Sequence, residues 1–152
     1  MEKVISIGKQ NFASLSENHY FYVDNSHFIK DWWENGDEIT LITRPRRFGK
    51  TLNMSMLDCF FSNKYAARGD LFEGLGVWKE EKYRELQGKY PVIFLSFAAV
   101  KADQLSEAKI QIKQQIARVY EENRYLLDGD LLSGNEKKAY NEVNLHMGDA
   151  EA

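Results

Sequence analysis

The sequence is poor in residues that cross-link or interrupt a chain. Its 152 residues include one cysteine, Cys59, and two prolines. A lone cysteine cannot form an internal disulfide, so we interpret Cys59 as a small apolar core residue in a reducing compartment. No stretch approaches the roughly 20 apolar residues of a membrane-spanning helix, and the N-terminus, with Glu2 and Lys3, lacks the apolar run of a signal peptide. We therefore predict a cytoplasmic protein without a membrane partner.

The sequence also lacks a strong excess of one charge. Its formal net charge is −3 at pH 7, whereas a general polyanion binder is expected to have a basic surface. The composition therefore argues against that class of protein. The length suits one domain with a buried core, but it is short for a nucleotide hydrolase that has all its catalytic strands.

The most informative segment is RPRRFGKT, residues 44–51, which follows the β-prone residues 38–43. In the phosphate-binding pattern GxxxxGKT, the lysine reaches the β- and γ-phosphates and the hydroxyl group ligates Mg²⁺; here Lys50 and Thr51 occupy those places. Backbone amides and the positive end of the next helix complete such a site. The predicted nucleotide contacts are Arg46, Arg47, Phe48, Gly49, Lys50, Thr51 and Leu52, with Thr51 also predicted to contact the metal.

This segment departs from the usual pattern because Arg44 stands where the first glycine belongs. The alternative interpretation is a basic turn between a strand and a buried helix, with Gly49 as a bend and Lys50 solvated. The role of Arg46 and Arg47 also has two interpretations. Their guanidinium groups could neutralise a triphosphate, or they could pair with acidic residues of a partner segment.

The pattern of apolar residues predicts an α/β fold. Residues 38–43 and 92–97 read as buried parallel strands, residues 52–61 as a buried helix, and residues 103–123 as an amphipathic helix. This order favours a right-handed βαβ arrangement. The expected architecture is a partial P-loop NTPase-like parallel sheet with flanking helices and an aromatic-rich N-terminal leader.

The chain divides by composition into three parts. Residues 1–36 form the leader, in which residues 27–34 are predicted to be a helix that ends at Gly36. Trp32 and Trp33 could stack nucleobases, but docking of an aromatic leader on a sheet is the commoner reason for such a pair. Residues 37–125 form the truncated core. Residues 126–152 are polar, with a short helix at 136–143 and a disordered end.

Taken with Tyr22-Val23-Asp24 upstream and residues 91–97, PVIFLSF, downstream, RPRRFGKT resembles the predicted AAA-ATPase-like family of bacterial and archaeal proteins. The resemblance runs from about Ile7 to near Asn123. It implies a P-loop NTPase fold with ATP and Mg²⁺ as ligands, and it makes Arg44 a feature of this branch. Family members often carry a nuclease-like domain, so nucleic acid is a partner to consider for the full-length protein.

The resemblance also implies a further strand that ends in acidic residues, and the sequence stops before one. Those carboxylates would hold the water shell of Mg²⁺ and orient the attacking water. We therefore expect ATP binding, with hydrolysis by this chain alone doubtful, and self-association through a sheet edge left open beside Leu41 or Phe94. The alternative is a non-enzymatic interaction module or inactive fragment that binds protein or nucleic acid through the aromatic leader and the arginine loop.

Overall fold

Helices and short 3-10 turns make up the secondary structure of the described residues. A computed structural model describes residues 4–5, 8–43, 45 and 48–148, and divides the chain into two units between Val92 and Ile93. In the first unit the α-helices are α1 (Phe12–Glu17), α2 (His27–Asn35), α3 (Lys50–Phe61) and α4 (Glu81–Arg84). The 3-10 helices there are Asn63–Tyr65, Gly69–Phe72 and Gly76–Lys79.

The predicted parallel sheet, and with it the α/β P-loop NTPase-like fold, is wrong. Residues 38–43 and 92–97 contain no strand, and the β-pairing in the described part of the chain is an isolated parallel bridge between Ser62 and Tyr90. The side chains of Ile39 and Leu41 are 89% and 82% exposed. A β-prone sequence becomes a strand only when a neighbouring segment pairs with its backbone groups. Neither segment has such a neighbour among the described residues.

Aromatic rings dominate the core of the first unit. Phe12 stacks on Phe72, with ring centroids 5.0 Å apart, and Phe60 meets Phe72 edge to face at the same distance. Each of these rings is at most 1% exposed. Burial of one such side chain contributes about 1.5–3 kcal/mol. Helices α1 and α3 and the turn at Gly69–Phe72 are therefore held together by one aromatic cluster.

Cys59 lies in this core, as the sequence predicts. Its side chain is 1% exposed. Burial raises the pKa of the Cys59 thiol to about 11. The thiol is therefore protonated at neutral pH and behaves as a small apolar group.

The two tryptophans of the leader pack against the end of α3. The rings of Trp32 and Trp33 both lie 5.4 Å from that of Phe61, and Trp33 lies 5.4 Å from Tyr90. Helix α2, which carries them, ends at Gly36 in a left-handed conformation with φ of 64°, as predicted. The leader thus docks on a helix, whereas the sequence suggested a sheet.

The second unit contains α5 (Leu105–Glu122), a 3-10 turn at Arg124–Leu127 and α6 (Gly134–Gly148). Helix α5 confirms the helix predicted at 103–123, and α6 is longer than the helix predicted at 136–143. Ser133 and Glu136 form a reciprocal capping box at the start of α6: the Ser133 amide donates to Glu136 Oε2 at 2.7 Å, and the Glu136 amide donates to Ser133 Oγ at 3.4 Å. The rings of Tyr120 and Tyr140 lie 4.7 Å apart. The end predicted to be disordered is residues 148–152: Gly148 is instead the last residue of α6, and residues 149–152 lie outside the described residues.

None of the helices in the described ranges combines the length and the apolar character that crossing a bilayer requires. The division of the chain at residues 36 and 125 stays a prediction. Self-association stays a prediction, and its premise, an open sheet edge, is missing from the described residues.

Gly88 fixes the chain where it returns to the end of α3. Its amide donates to the Phe60 carbonyl at 2.8 Å, and its φ is 69°. A Cβ atom at this position would lie 2.3 Å from the Ala66 Cα atom. Backbone conformation and close packing therefore both require glycine here.

We predict that Gly88→Ala lowers the free energy of unfolding by at least about 3 kcal/mol, because left-handed strain adds to a backbone clash. Gly74→Ala is the matched control, since Gly74 has a φ of 84° but no atom within 4 Å of an added Cβ. Its loss should be about 1 kcal/mol. Urea unfolding of both variants measures the difference, and equal losses would contradict the packing role of Gly88.

Candidate functional site

The start of helix α3 is the place to which the sequence motif assigns phosphate binding. Gly49 is the N-cap residue, with φ of 73° and ψ of 15°, and Lys50 is the first helical residue. The Asn53 amide donates to the Gly49 carbonyl at 2.9 Å. An added Cβ at Gly49 would meet no atom within 4 Å. The preference for glycine there therefore comes from the left-handed backbone and not from close packing. The bend leads into a helix, as predicted, but the described residues before it, 38–43, 45 and 48, form no strand.

The predicted site residues differ in the solvent exposure of their side chains. Phe48 is 64% exposed, and its amide donates to the Pro45 carbonyl at 3.4 Å. Lys50 is half-buried and Thr51 is exposed. The Leu52 side chain packs against the core, so only its backbone amide could serve a ligand. The remaining predicted contacts, Arg46 and Arg47, lie outside the described residues, as does Arg44.

The electrostatics of this helix start suit an anion. The first amides of an α-helix have no acceptor within the helix, and the aligned peptide dipoles place about half a positive charge there. The first turn of α3 contains no acidic residue, and glycine at the N-cap has no side chain that could cap the amides. Lys50 adds a cation at the first position. The arrangement can therefore attract a phosphate group.

Two buried polar residues hold α3 in place. Asn53 is 4% exposed, and its Oδ1 atom accepts a hydrogen bond from Asn25 Nδ2 at 3.1 Å. Ser55 is 7% exposed, and its Oγ atom accepts from the Phe12 amide at 3.0 Å. The prediction of a buried helix at residues 52–61 assigned no positioning role to Asn53 or Ser55. Their polarity within an apolar helix was the signal that could have found them.

A turn around Asp24 connects the leader to the 3-10 helix at Gly76–Lys79. Asp24 Oδ1 accepts from the Ser26 amide at 2.9 Å, and Asp24 Oδ2 accepts from the Gly76 amide at 2.7 Å. Burial disfavours ionisation of Asp24, but hydrogen bonds from Ser26 and Gly76 outweigh it and lower the pKa of the carboxyl group. Ser26 Oγ also accepts from the Val77 amide at 3.1 Å.

Tyr22, in the same turn, reaches α3 directly. Its hydroxyl group lies 3.3 Å from the Met56 sulfur and donates to it, and burial raises the pKa of Tyr22 to about 12. The Tyr22-Val23-Asp24 motif therefore has a structural role. It ties the leader to the helix that carries Lys50 and Thr51.

A metal ion would find few protein ligands at this site. Across the described ranges no three or more His, Cys, Asp or Glu side chains form a group that could hold a metal ion. Thr51 offers one exposed hydroxyl group at the second helical position. Mg²⁺ here would therefore depend on ligands from a bound phosphate.

Comparisons with known proteins support the resemblance that the sequence motifs carry. A family model described as "Predicted AAA-ATPase" matches residues 6–146. An uncharacterized protein in the vnfD 5' region of Azotobacter chroococcum mcd 1 is 35% identical over 96 residues, which is 62% of this chain and 17% of that protein. The chain thus spans less than a fifth of the length of this curated relative. No solved structure matches the chain.

We predict that Asp24→Asn reduces the loss of unfolding free energy that acidification causes. The pKa of Asp24 is lowered from 3.8, so its carboxylate contributes fully above that value and loses its contribution as pH falls through the folded-state pKa. Urea unfolding at about pH 5 and about pH 2 should show a larger loss of unfolding free energy for the wild type than for the variant.

Asp31→Asn, at an exposed position on α2, is the control and should behave like the wild type. The same acid-induced loss in wild type and Asp24→Asn would mean that the carboxylate does not hold the turn.

Proposed function

Because the chain belongs to the predicted AAA-ATPase family, we propose that it is an ATP-binding domain whose phosphate site is the start of helix α3. The observation that supports this proposal is the Gly49-Lys50-Thr51 sequence at the N-terminus of a 12-residue helix. The family supports a nucleotide ligand. We propose further that this nucleotide is ATP.

The proposed roles follow from the groups at the start of α3. The amides of Lys50, Thr51 and Leu52 lie in the first turn and would donate to phosphate oxygens. The Lys50 ammonium group would pair with the phosphate charge. Space beside Gly49 leaves room for a phosphate to approach the backbone. Arg46 and Arg47 are proposed as auxiliary phosphate ligands because guanidinium groups match phosphate oxygens.

Mg²⁺ is proposed to bind together with the nucleotide. The Thr51 hydroxyl group would be the protein ligand, and phosphate oxygens would provide others. When bound, the metal would neutralise phosphate charge. Thr51 fits this role because its side chain is exposed in the first turn, next to Lys50.

Binding without turnover is the activity proposed for residues 1–152. Phosphoryl transfer also needs a group that orients the attacking nucleophile and carboxylates that hold the metal. The sequence contains no apolar strand that ends in acidic residues after residue 97. Hydrolysis by a longer protein of this family is a separate proposal.

The alternative, an interaction module that uses the aromatic leader, has weaker support. Phe12 is 1% exposed and Leu15 is 6% exposed. Side chains that form the core are not available to a partner. The leader does expose Phe21, at 50%, so binding of nucleic acid or protein there stays a prediction.

We predict that Lys50→Ala abolishes thermal stabilisation by ATP and Mg²⁺. At a ligand concentration about one hundred times Kd, binding stabilises the folded state by about 2.7 kcal/mol, which raises Tm by about 5–10 °C for a chain of this length. Removal of the cation at the phosphate site should eliminate that shift in differential scanning fluorimetry.

The control is Lys79→Ala, which removes an exposed lysine in the 3-10 helix Gly76–Lys79. It should retain the full shift in Tm. If ATP shifts the Tm of Lys50→Ala as much as that of the wild type, α3 does not provide the phosphate site.

We predict that Thr51→Ala retains ATP binding in the presence of EDTA but loses the gain in affinity that Mg²⁺ provides, because the variant lacks the hydroxyl ligand. Thr51→Ser keeps that hydroxyl group and should behave like the wild type. Isothermal titration with and without Mg²⁺ measures the gain. A full gain for Thr51→Ala would remove Thr51 from the metal site.

A further inference from the structure

A concave site lies in the first unit, between α2 and α4. It has a volume of about 420 Å³ and is lined by Trp33, Glu34, Lys82, Tyr83 and Leu86. The residues belong to the end of α2, to α4 and to the turn that follows it. The cavity therefore combines an aromatic ring, a carboxylate and an ammonium group.

The Trp33 ring can serve as a stacking surface. Its plane lies at 22° to that of Phe61, with centroids 5.4 Å apart, so this contact covers one face. The residue remains 38% exposed and lines the cavity. Tyr90 lies 5.4 Å from the Trp33 ring at an angle of 49°, so a planar ligand ring would stack on the part of Trp33 that stays exposed in the cavity. Stacking on tryptophan is favourable for any aromatic heterocycle.

Glu34 and Lys82 place a hydrogen-bond acceptor and a donor side by side. Lys82 Nζ donates to Glu34 Oε1 at 2.8 Å, and the Tyr83 hydroxyl group donates to the same oxygen. From the described part of the chain, no hydrogen bond reaches Glu34 Oε2. An ammonium group has three N–H donors, so Lys82 retains donors for a ligand.

We infer that this cavity binds a nucleobase that carries an exocyclic amino group beside a ring-nitrogen acceptor, the edge that adenine and cytosine share. The ring would stack on Trp33, the amino group would donate to Glu34 Oε2, and the ring nitrogen would accept from Lys82. A carboxylate is a known type of partner for the cytosine amino group. Uracil and thymine present a carbonyl oxygen in place of the amino group and a ring N–H donor in place of the ring-nitrogen acceptor, so neither hydrogen bond can form in this pose.

This site is distinct from the phosphate site. Phe61, which supports Trp33, is the last residue of α3, and Lys50 is the first. At about 1.5 Å of rise per residue, the two ends of the helix lie roughly 16 Å apart. Base binding can therefore be measured in the Lys50→Ala variant, and its outcome is independent of the proposed ATP site.

The first experiment is isothermal titration of the wild type and Lys50→Ala with AMP, CMP and UMP in the absence of Mg²⁺. AMP and CMP should bind at least about tenfold more tightly than UMP, because uracil can make neither of the two hydrogen bonds to the charged groups in this pose. Trp33→Leu should weaken AMP binding at least about fivefold. Phe97→Leu, at an exposed aromatic residue that does not line the cavity, should not.

Glu34→Gln tests the carboxylate without a change of shape. The glutamine can keep an oxygen toward Lys82 and place an N–H₂ donor where Oε2 stood, which removes the acceptor for the base amino group, so the preference for AMP and CMP over UMP should fall. A role in folding alone would weaken all three ligands equally. Equal binding of AMP and UMP by the wild type, or no effect of Trp33→Leu on a folded variant, would overturn the proposal.

Oligo(dA) and oligo(dT) identify the source of the base. Binding of oligo(dA) that is tighter than that of AMP, with oligo(dT) weaker, assigns the site to single-stranded nucleic acid. Equal affinity for AMP and for the oligonucleotide assigns it to a free nucleotide. Tighter binding of oligo(dT) than of oligo(dA) would contradict the amino-group specificity.

Discussion

The burial of helix α3 beneath the N-terminal leader is the constraint on which the first unit depends. The helix contributes Met56 and Phe60, both fully buried, to the core. Apolar contacts alone would tolerate small rotations of a helix, because they have little directional preference. The hydrogen bonds of Asn53 and Ser55 add direction, since each fixes one point on α3 against the leader. The position of the helix start, and of any anion held there, follows from these contacts.

The helices could be predicted from the sequence because their signals are local. The spacing of apolar residues indicated α5, the dense apolar run indicated α3, and Gly36 marked the end of α2. The sheet could not be predicted in this way. Residues 38–43 and 92–97 have the composition of strands, but a strand also needs a paired neighbour, and composition does not specify one. The fold class was wrong for that reason.

In the candidate site, too, the features with local sequence signals could be predicted and the long-range contacts could not. The Gly49-Lys50-Thr51 sequence correctly placed a glycine bend and the start of a helix. The hydrogen bond between Asn25 and Asn53 spans 28 positions of the chain, and no local pattern encodes such a contact. The pair Glu34 and Lys82 is separated by 48 positions. The residues that position a site, or that build one from two helices, thus become visible only once the chain is folded.

The buried Cys59 thiol makes opening of the core measurable by chemical labelling. A protonated thiol with 1% exposure is inert to alkylating reagents until the core opens. Because Cys59 is the only cysteine in the sequence, every labelled molecule has passed through a state in which the aromatic cluster around α3 was disrupted. The rate of Cys59 alkylation under native conditions therefore measures how often this core opens. A ligand that stabilises α3 would lower that rate.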